Sequence, residues 1–273
     1  MDMEEEKPYQ ISLLPVSEEN GLELSKGFRR IEILEEVKKQ LWLAGPLISV
    51  SFLQYCLQVI SIMFVGHLGE LALSGASMAT SFASVTGLSL LMGMASALDS
   101  LCGKAYGAKQ YNMLGVQMQR AMLVLLLVGI PVAFILANTE NILLGFGQDP
   151  DISREAGIYA RFMIPMVFAY ALLQCLVRFL QTQNIVFPMM IISGATTMLH
   201  FPVCWVLVFK SGLGNKGAAM ANSLSYWINV LLLALYVKFS PSCKETWTGF
   251  SNEAFHNVRN FLRLAIPSAF MVW

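Results

Sequence analysis

Charge is what this sequence has least of. Charged residues fill only 13% of its 273 positions, about half the share in an ordinary soluble domain. Acids and bases cancel, eighteen of each, so there is no electrostatic footprint for nucleic acid or another strongly charged partner. Histidine is scarce: His67, His200 and His256 are the three, and they are scattered. There is no HExxH, no Walker loop and no GxSxG turn, so nothing resembles a metal centre, a phosphate cradle or an activated serine. The expectation is a protein that is not an enzyme, with no catalytic residue, metal or cofactor. Five cysteines, at 56, 102, 175, 204 and 243, form no CxxC and no Cys/His pairing, and only Cys243 lies outside an apolar run. That argues against a disulfide framework or a zinc site. The N-terminus does not read as a signal peptide, because Met1 to Glu6 carries four acids and no short apolar stretch follows.

What the sequence has in abundance is apolar residues, at 56%. They gather in runs without any Asp, Glu, Lys or Arg: Gln40 to Gly69, Leu71 to Leu98, Ala121 to Thr139, Phe162 to Val177, Phe179 to Phe209 and Gly217 to Val237. A hydrocarbon core about 30 Å thick takes roughly 20 such residues as a helix. The fourth run is short, and becomes long enough if the helix starts near Gly157 and holds Arg161 at the interface. Unpaired backbone groups are not tolerated in lipid, so each run is expected to be a helix. Six spans follow. With the N-terminus in the cytoplasm, fourteen of the eighteen Lys and Arg residues fall inside and only Arg154, Arg161, Lys210 and Lys216 outside, a clear positive-inside bias.

Val37 to Pro46 (VKKQLWLAGP) resembles Val258 to Pro267 (VRNFLRLAIP) at an offset of 221 residues. Each ends a basic stretch and opens an apolar one. Chance similarity of two helix starts is one reading. The other is a duplication of six spans per half, related as parallel repeats because six crossings restore the starting side. On that reading Trp273 lies inside a seventh span, and the chain is a fragment of a protein with twelve. The expected domains are a cytoplasmic tail (1–38), a six-helix lobe (39–238), a cytoplasmic connector (239–263) and the start of a seventh helix (264–273).

Polar residues inside spans are costly and tend to face a cavity or a partner. Ser51, Gln54, Gln58 and Ser61 make one stripe on the first span, and Ser74, Ser77, Ser81 and Ser84 one on the second. The fourth span carries Gln174, Arg178 and Gln181, the fifth Ser193, Thr196, Thr197 and His200, the sixth Asn222, Ser225, Tyr226 and Asn229. The serines of the second span read as packing residues that bring helices close. The amide stripes stay open between packing and lining. A structural hydrogen bond is the simpler role for His200, and Arg178 can snorkel to the interface. Candidate cavity residues are Gln54, Gln58, Ser61, Gln174, Gln181, Asn222, Tyr226 and Asn229. No carboxylate lies deep in any span, so an ion-coupling acid is expected elsewhere.

Several pieces then carry a resemblance: Val65-Gly66-His67-Leu68-Gly69-Glu70, Ala97 to Ala108 (ALDSLCGKAYGA), Gln119-Arg120, Gly147 to Ile152 (GQDPDI), Arg178 to Asn184 (RFLQTQN), and Gly217-Ala218-Ala219 leading to Ser225-Tyr226-Trp227. In this order and spacing the chain resembles the plant branch of the multidrug and toxic compound extrusion (MATE) family. The resemblance implies an all-α membrane protein, a six-transmembrane-helix lobe of a twelve-helix two-lobe transporter truncated at the start of helix 7. It also implies proton-coupled antiport of organic cations, xenobiotics or plant secondary metabolites, with the proton gradient as energy source. The expected partners are the lipid bilayer, small organic substrates and the C-terminal lobe, at a plasma or vacuolar membrane. In many bacterial relatives an acid stands where this chain has Ser61. In the eukaryotic branch the coupling acid is expected in the seventh helix. The loop glycines Gly66, Gly69, Gly103 and Gly107 are expected at tight turns. A lipid-linked substrate flippase, a channel and a non-transporting fragment are the alternatives.

Overall fold

A computed structural model describes the backbone of residues 18–249 and 251–272 and, apart from residues 39 and 43, their side chains from Glu35 onward. The expected tail up to residue 17 and Trp273 lie outside the described residues. Among the described residues every regular element is helical. The elements are α1 (Glu18–Gly66), α2 (Glu70–Ala83), α3 (Ser89–Gly107), α4 (Tyr111–Ala137), α5 (Thr139–Gly145), α6 (Pro150–Thr182), α7 (Phe187–Trp205), α8 (Asn215–Phe239) and α9 (Val258–Val272). Two π turns, Ser84–Leu88 and Val206–Lys210, extend α2 into α3 and lengthen α7. Six stretches are long and apolar enough to cross a bilayer: Glu35–Gly66, Glu70–Gly107, Tyr111–Ala137, Pro150–Thr182, Phe187–Lys210 and Asn215–Phe239. The chain divides into two compact units, residues 1–45 and 46–273; the packing described below belongs to the second.

The helices outrun the charge-free runs because their ends carry charge in interfacial turns. Asp149 caps α6: its carboxylate accepts from the amides of Asp151 (2.9 Å) and Ile152 (3.2 Å), with Pro150 at the first helical position. Three helices end in Schellman-type turns, with Lys109, Gly147 and Asn184 at positive φ. In each, a later amide reaches back five residues: Gln110 to Ala105, Gln148 to Leu143 and Ile185 to Leu180. Thus GQDPDI and RFLQTQN are stop and start signals. Gly69, at φ 125°, makes the tight turn between α1 and α2. Gly103 does not act as a turn: ALDSLCGKAYG continues as helix to Gly107, and the left-handed residue beyond it is Lys109.

α6 is the central helix, packed by α2, α3, α4, α5 and α8. Small residues allow this. A Cβ on Gly75 would lie 2.5 Å from the Glu155 Cβ, so α2 and α6 touch almost backbone to backbone. The packing face of α2 is Gly75, Ala76, Ala79 and Ala83, all buried. Ser74 and Ser81 are exposed and Ser77 and Ser84 half-buried, so the serine stripe points out of the lobe and is not the packing seam expected. α9 lies against α3, where a Cβ on Gly93 would be 2.7 Å from the Ala269 Cα. The outside is apolar: Phe52, Met63, Leu127, Phe134, Met198 and Phe239 are all exposed, as suits side chains solvated by lipid.

Candidate substrate cavity

Spans one, five and six meet through a histidine. His200 shares a hydrogen bond with Ser61 through Nε2 (3.0 Å) and with Ser225 through Nδ1 (2.8 Å), and all three are buried. A neutral imidazole donates from one nitrogen and accepts at the other, so two hydroxyls satisfy it. About one turn before it, the Thr197 hydroxyl donates to the Ser193 carbonyl (2.9 Å) and to the Leu53 carbonyl of the first span (3.3 Å).

Beside this bridge lies a second polar group. The Tyr226 hydroxyl lies near the Gln58 side chain and its ring lies 6.1 Å from that of Tyr170. Tyr170 in turn pairs with Gln174, one turn along α6. The Tyr159 hydroxyl lies near Thr80 of the second span and Asn222 of the sixth. Ser61, Gln174, Asn222, Tyr226 and Asn229 are buried, while Gln54, Gln58 and Gln181 are half-buried. Several polar atoms here have no protein partner: Gln54 Nε2, Ser193 Oγ, Asn222 Oδ1 and both amide atoms of Asn229. Buried amides are nearly always hydrogen-bonded, so this concentration of free valences is unusual for a packed helix interior.

Of the eight candidates, Ser61 joins the His200 bridge, and Gln58, Gln174, Asn222 and Tyr226 belong to the tyrosine group. Gln181 does not join them: it lies eleven residues beyond Tyr170 on α6, roughly 16 Å along the axis. Tyr170, Tyr159 and Thr80 were not among the candidates. Tyr170 was legible, since it sits four residues before Gln174 on the same helical face. Tyr159 was hidden by lying outside the charge-free run. Arg178, expected to snorkel, donates to Asp99 at 3.1 Å, and Arg161 pairs with Glu140 at 2.9 Å.

The connector between α8 and α9 is tied to the lobe. The Gln119 side chain donates to the Gly249 carbonyl (2.7 Å) and accepts from the Ser251 amide (2.9 Å). Arg120 donates to the Glu253 carbonyl (3.1 Å), and Thr246 donates to Gln183 (2.9 Å). Burial pushes the Cys243 thiol in this loop up to about 11, which keeps it protonated and inert.

A helical lobe with an apolar exterior and a polar interior shared by facing spans is the architecture of half a membrane transporter. The MatE family profile matches residues 46–206. Protein DETOXIFICATION 16 of Arabidopsis thaliana is 69% identical over 240 residues, 88% of this chain and 49% of that protein. Protein DETOXIFICATION 15 of the same plant is 65% identical, over 88% of this chain and 50% of its own. The crystal structure of the eukaryotic MATE transporter AtDTX14 superposes with a TM-score of 0.85 at 48% identity, covering 88% of this chain and 53% of that one. An outward-facing conformation of a multidrug resistance MATE family transporter shares the fold at a TM-score of 0.71 and 19% identity, over 84% of this chain and 51% of its own. The chain belongs to the MatE family. It spans about half the length of the curated relatives it matches.

Proposed function

We propose that this chain is the N-terminal lobe of a proton-coupled antiporter that exports organic cations, xenobiotics or plant secondary metabolites. The observation that carries the reading is the shared polar interior: Gln58, Tyr226, Tyr170 and Gln174 offer amides and two neighbouring aromatic rings, tilted 59° to each other, to one guest. Such a lining suits an amphipathic organic cation, which gains hydrogen bonds and about 0.5–2 kcal/mol per cation–π contact. The names of the Arabidopsis relatives, which speak of detoxification, support the substrate class. We place proton coupling in the half of the relatives' length that this chain does not span. The Ser61 position is occupied by a hydroxyl engaged with His200, and no acid stands deep in a span. The second lobe is needed for alternating access; the positive-inside bias supports a cytoplasmic N-terminus, in a plasma or vacuolar membrane. A lipid-linked flippase would want a free cation in the cavity, and Arg178 is engaged by Asp99.

The test is Gln58→Leu in the full-length protein. Losing one hydrogen bond to the guest should raise the half-saturating concentration of a fluorescent organic cation about 2- to 10-fold, with membrane abundance unchanged. Unaltered affinity with reduced abundance would show that Gln58 only packs.

A further inference from the structure

A cavity of about 710 Å³ lies apart from the polar interior, between α4 and α8 with α6 as its floor and the connector as its roof. Its walls are almost wholly apolar. Met118, Met122 and Leu126 come from α4, Leu172 and Leu176 from α6, and Trp247 from the connector. The volume is that of a small-molecule site, and unbranched methionines let such walls adapt to a flexible guest. Leu176 is buried at the bottom, whereas Ala234 and Phe255 at the mouth are exposed. The cavity therefore opens sideways, on the lobe's outer surface, in a chain whose exterior is apolar.

One charged residue stands at this mouth. Lys238, the last basic residue of α8, lines the cavity and is exposed, its ammonium 5.5 Å from the Phe239 ring. Among the described residues the ion pairs are Arg161–Glu140 and Arg178–Asp99, and Lys238 is in neither. The roof is held in place by Gln119, which clamps Gly249 and Ser251 from below. A greasy slot open on an exposed apolar face of the lobe, with a cation at one end, matches a molecule with one long apolar chain and a negative head.

We propose that this slot binds an anionic membrane phospholipid, with an acyl chain along α6 and the headgroup phosphate against Lys238. Basic residues at the ends of spans attract such headgroups. The same lysine repels an organic cation, so this site is distinct from the interior that would hold substrate. Because the roof is the connector, an occupied slot fills the space beneath the loop that Gln119 and Arg120 hold.

The experiment is native mass spectrometry of the full-length protein in detergent, titrated with palmitoyl-oleoyl phosphatidylglycerol or phosphatidylcholine. The wild type should keep phosphatidylglycerol at lower lipid concentration than phosphatidylcholine. Lys238→Gln should weaken phosphatidylglycerol binding about fivefold, the worth of one basic residue at a membrane surface, and leave phosphatidylcholine unchanged. Leu172→Trp, which fills the slot, should remove the preferred adduct for both lipids; if that variant does not fold, Lys238→Gln alone decides. Equal retention of both lipids by the wild type, or an unchanged preference in Lys238→Gln, would overturn the proposal. So would an organic cation that displaces phosphatidylglycerol in the wild type.

Discussion

His200 offers the sharpest separation between a structural and a proton-handling role. Replacing it by Leu keeps a side chain of similar bulk and removes both hydrogen bonds, to Ser61 on the first span and to Ser225 on the sixth. Hydrogen bonds between helices in membranes are worth about 0.6 kcal/mol each on average, and about 1.7 at most. Two of them give about 1.2 kcal/mol. The freed serine hydroxyls can turn back to carbonyls one turn earlier, as Thr197 and Ser223 do in this lobe, which holds the loss near that average. For a full-length protein about twice as long as this chain, the change corresponds to a fall in Tm of roughly 1–2 °C. Ser61→Ala and Ser225→Ala should each lower it by about half as much, and each should couple to His200→Leu in a double-mutant cycle. The assay is thermal unfolding of the full-length protein in detergent, followed by transport across a pH series on what remains folded. If His200 is structural, Tm falls and the pH profile of transport keeps its shape. An unchanged Tm together with a lost or displaced pH profile would refute the reasoning and make His200 a proton relay.

Two further outcomes follow from the packing and the charge pattern. A Cβ at Gly217 would overlap the Leu207 carbonyl, with its carbon at 2.6 Å and the Val208 amide nitrogen at 3.1 Å. Gly217→Val should therefore cost at least about 1–3 kcal/mol of overpacking, read as loss of protein from the membrane, and normal abundance would contradict the close approach of α8 to the π turn after α7. For orientation, Gln148→Cys and Gln110→Cys in a cysteine-free background lie on opposite sides and on exposed residues; an impermeant maleimide added outside should label the first and spare the second, and the reverse pattern would invert the topology.

The sequence by itself determined the number of spans and which residues were polar within them. This is a consequence of the solvent: lipid cannot satisfy a backbone amide, so each charge-free run had to close its hydrogen bonds locally, as a helix. Helix periodicity then put Gln54, Gln58 and Ser61, or Asn222, Tyr226 and Asn229, on single faces without knowledge of their neighbours. Boundaries were less legible, because a cap such as Asp149 or a left-handed Lys109 is a matter of a few local bonds that composition does not display. Tertiary structure alone decided which stripes meet. Ser61 and His200 are 139 residues apart, Asp99 and Arg178 are 79, and Gln119 reaches a connector 130 residues away. Each of these pairings depends on how helices rotate and cross. That is set by small residues such as Gly75 and Gly93, which let backbones touch. It also sent the serines of the second span outward and its alanines inward, since four polar hydroxyls at helical spacing fit a packed seam and an exposed face equally well.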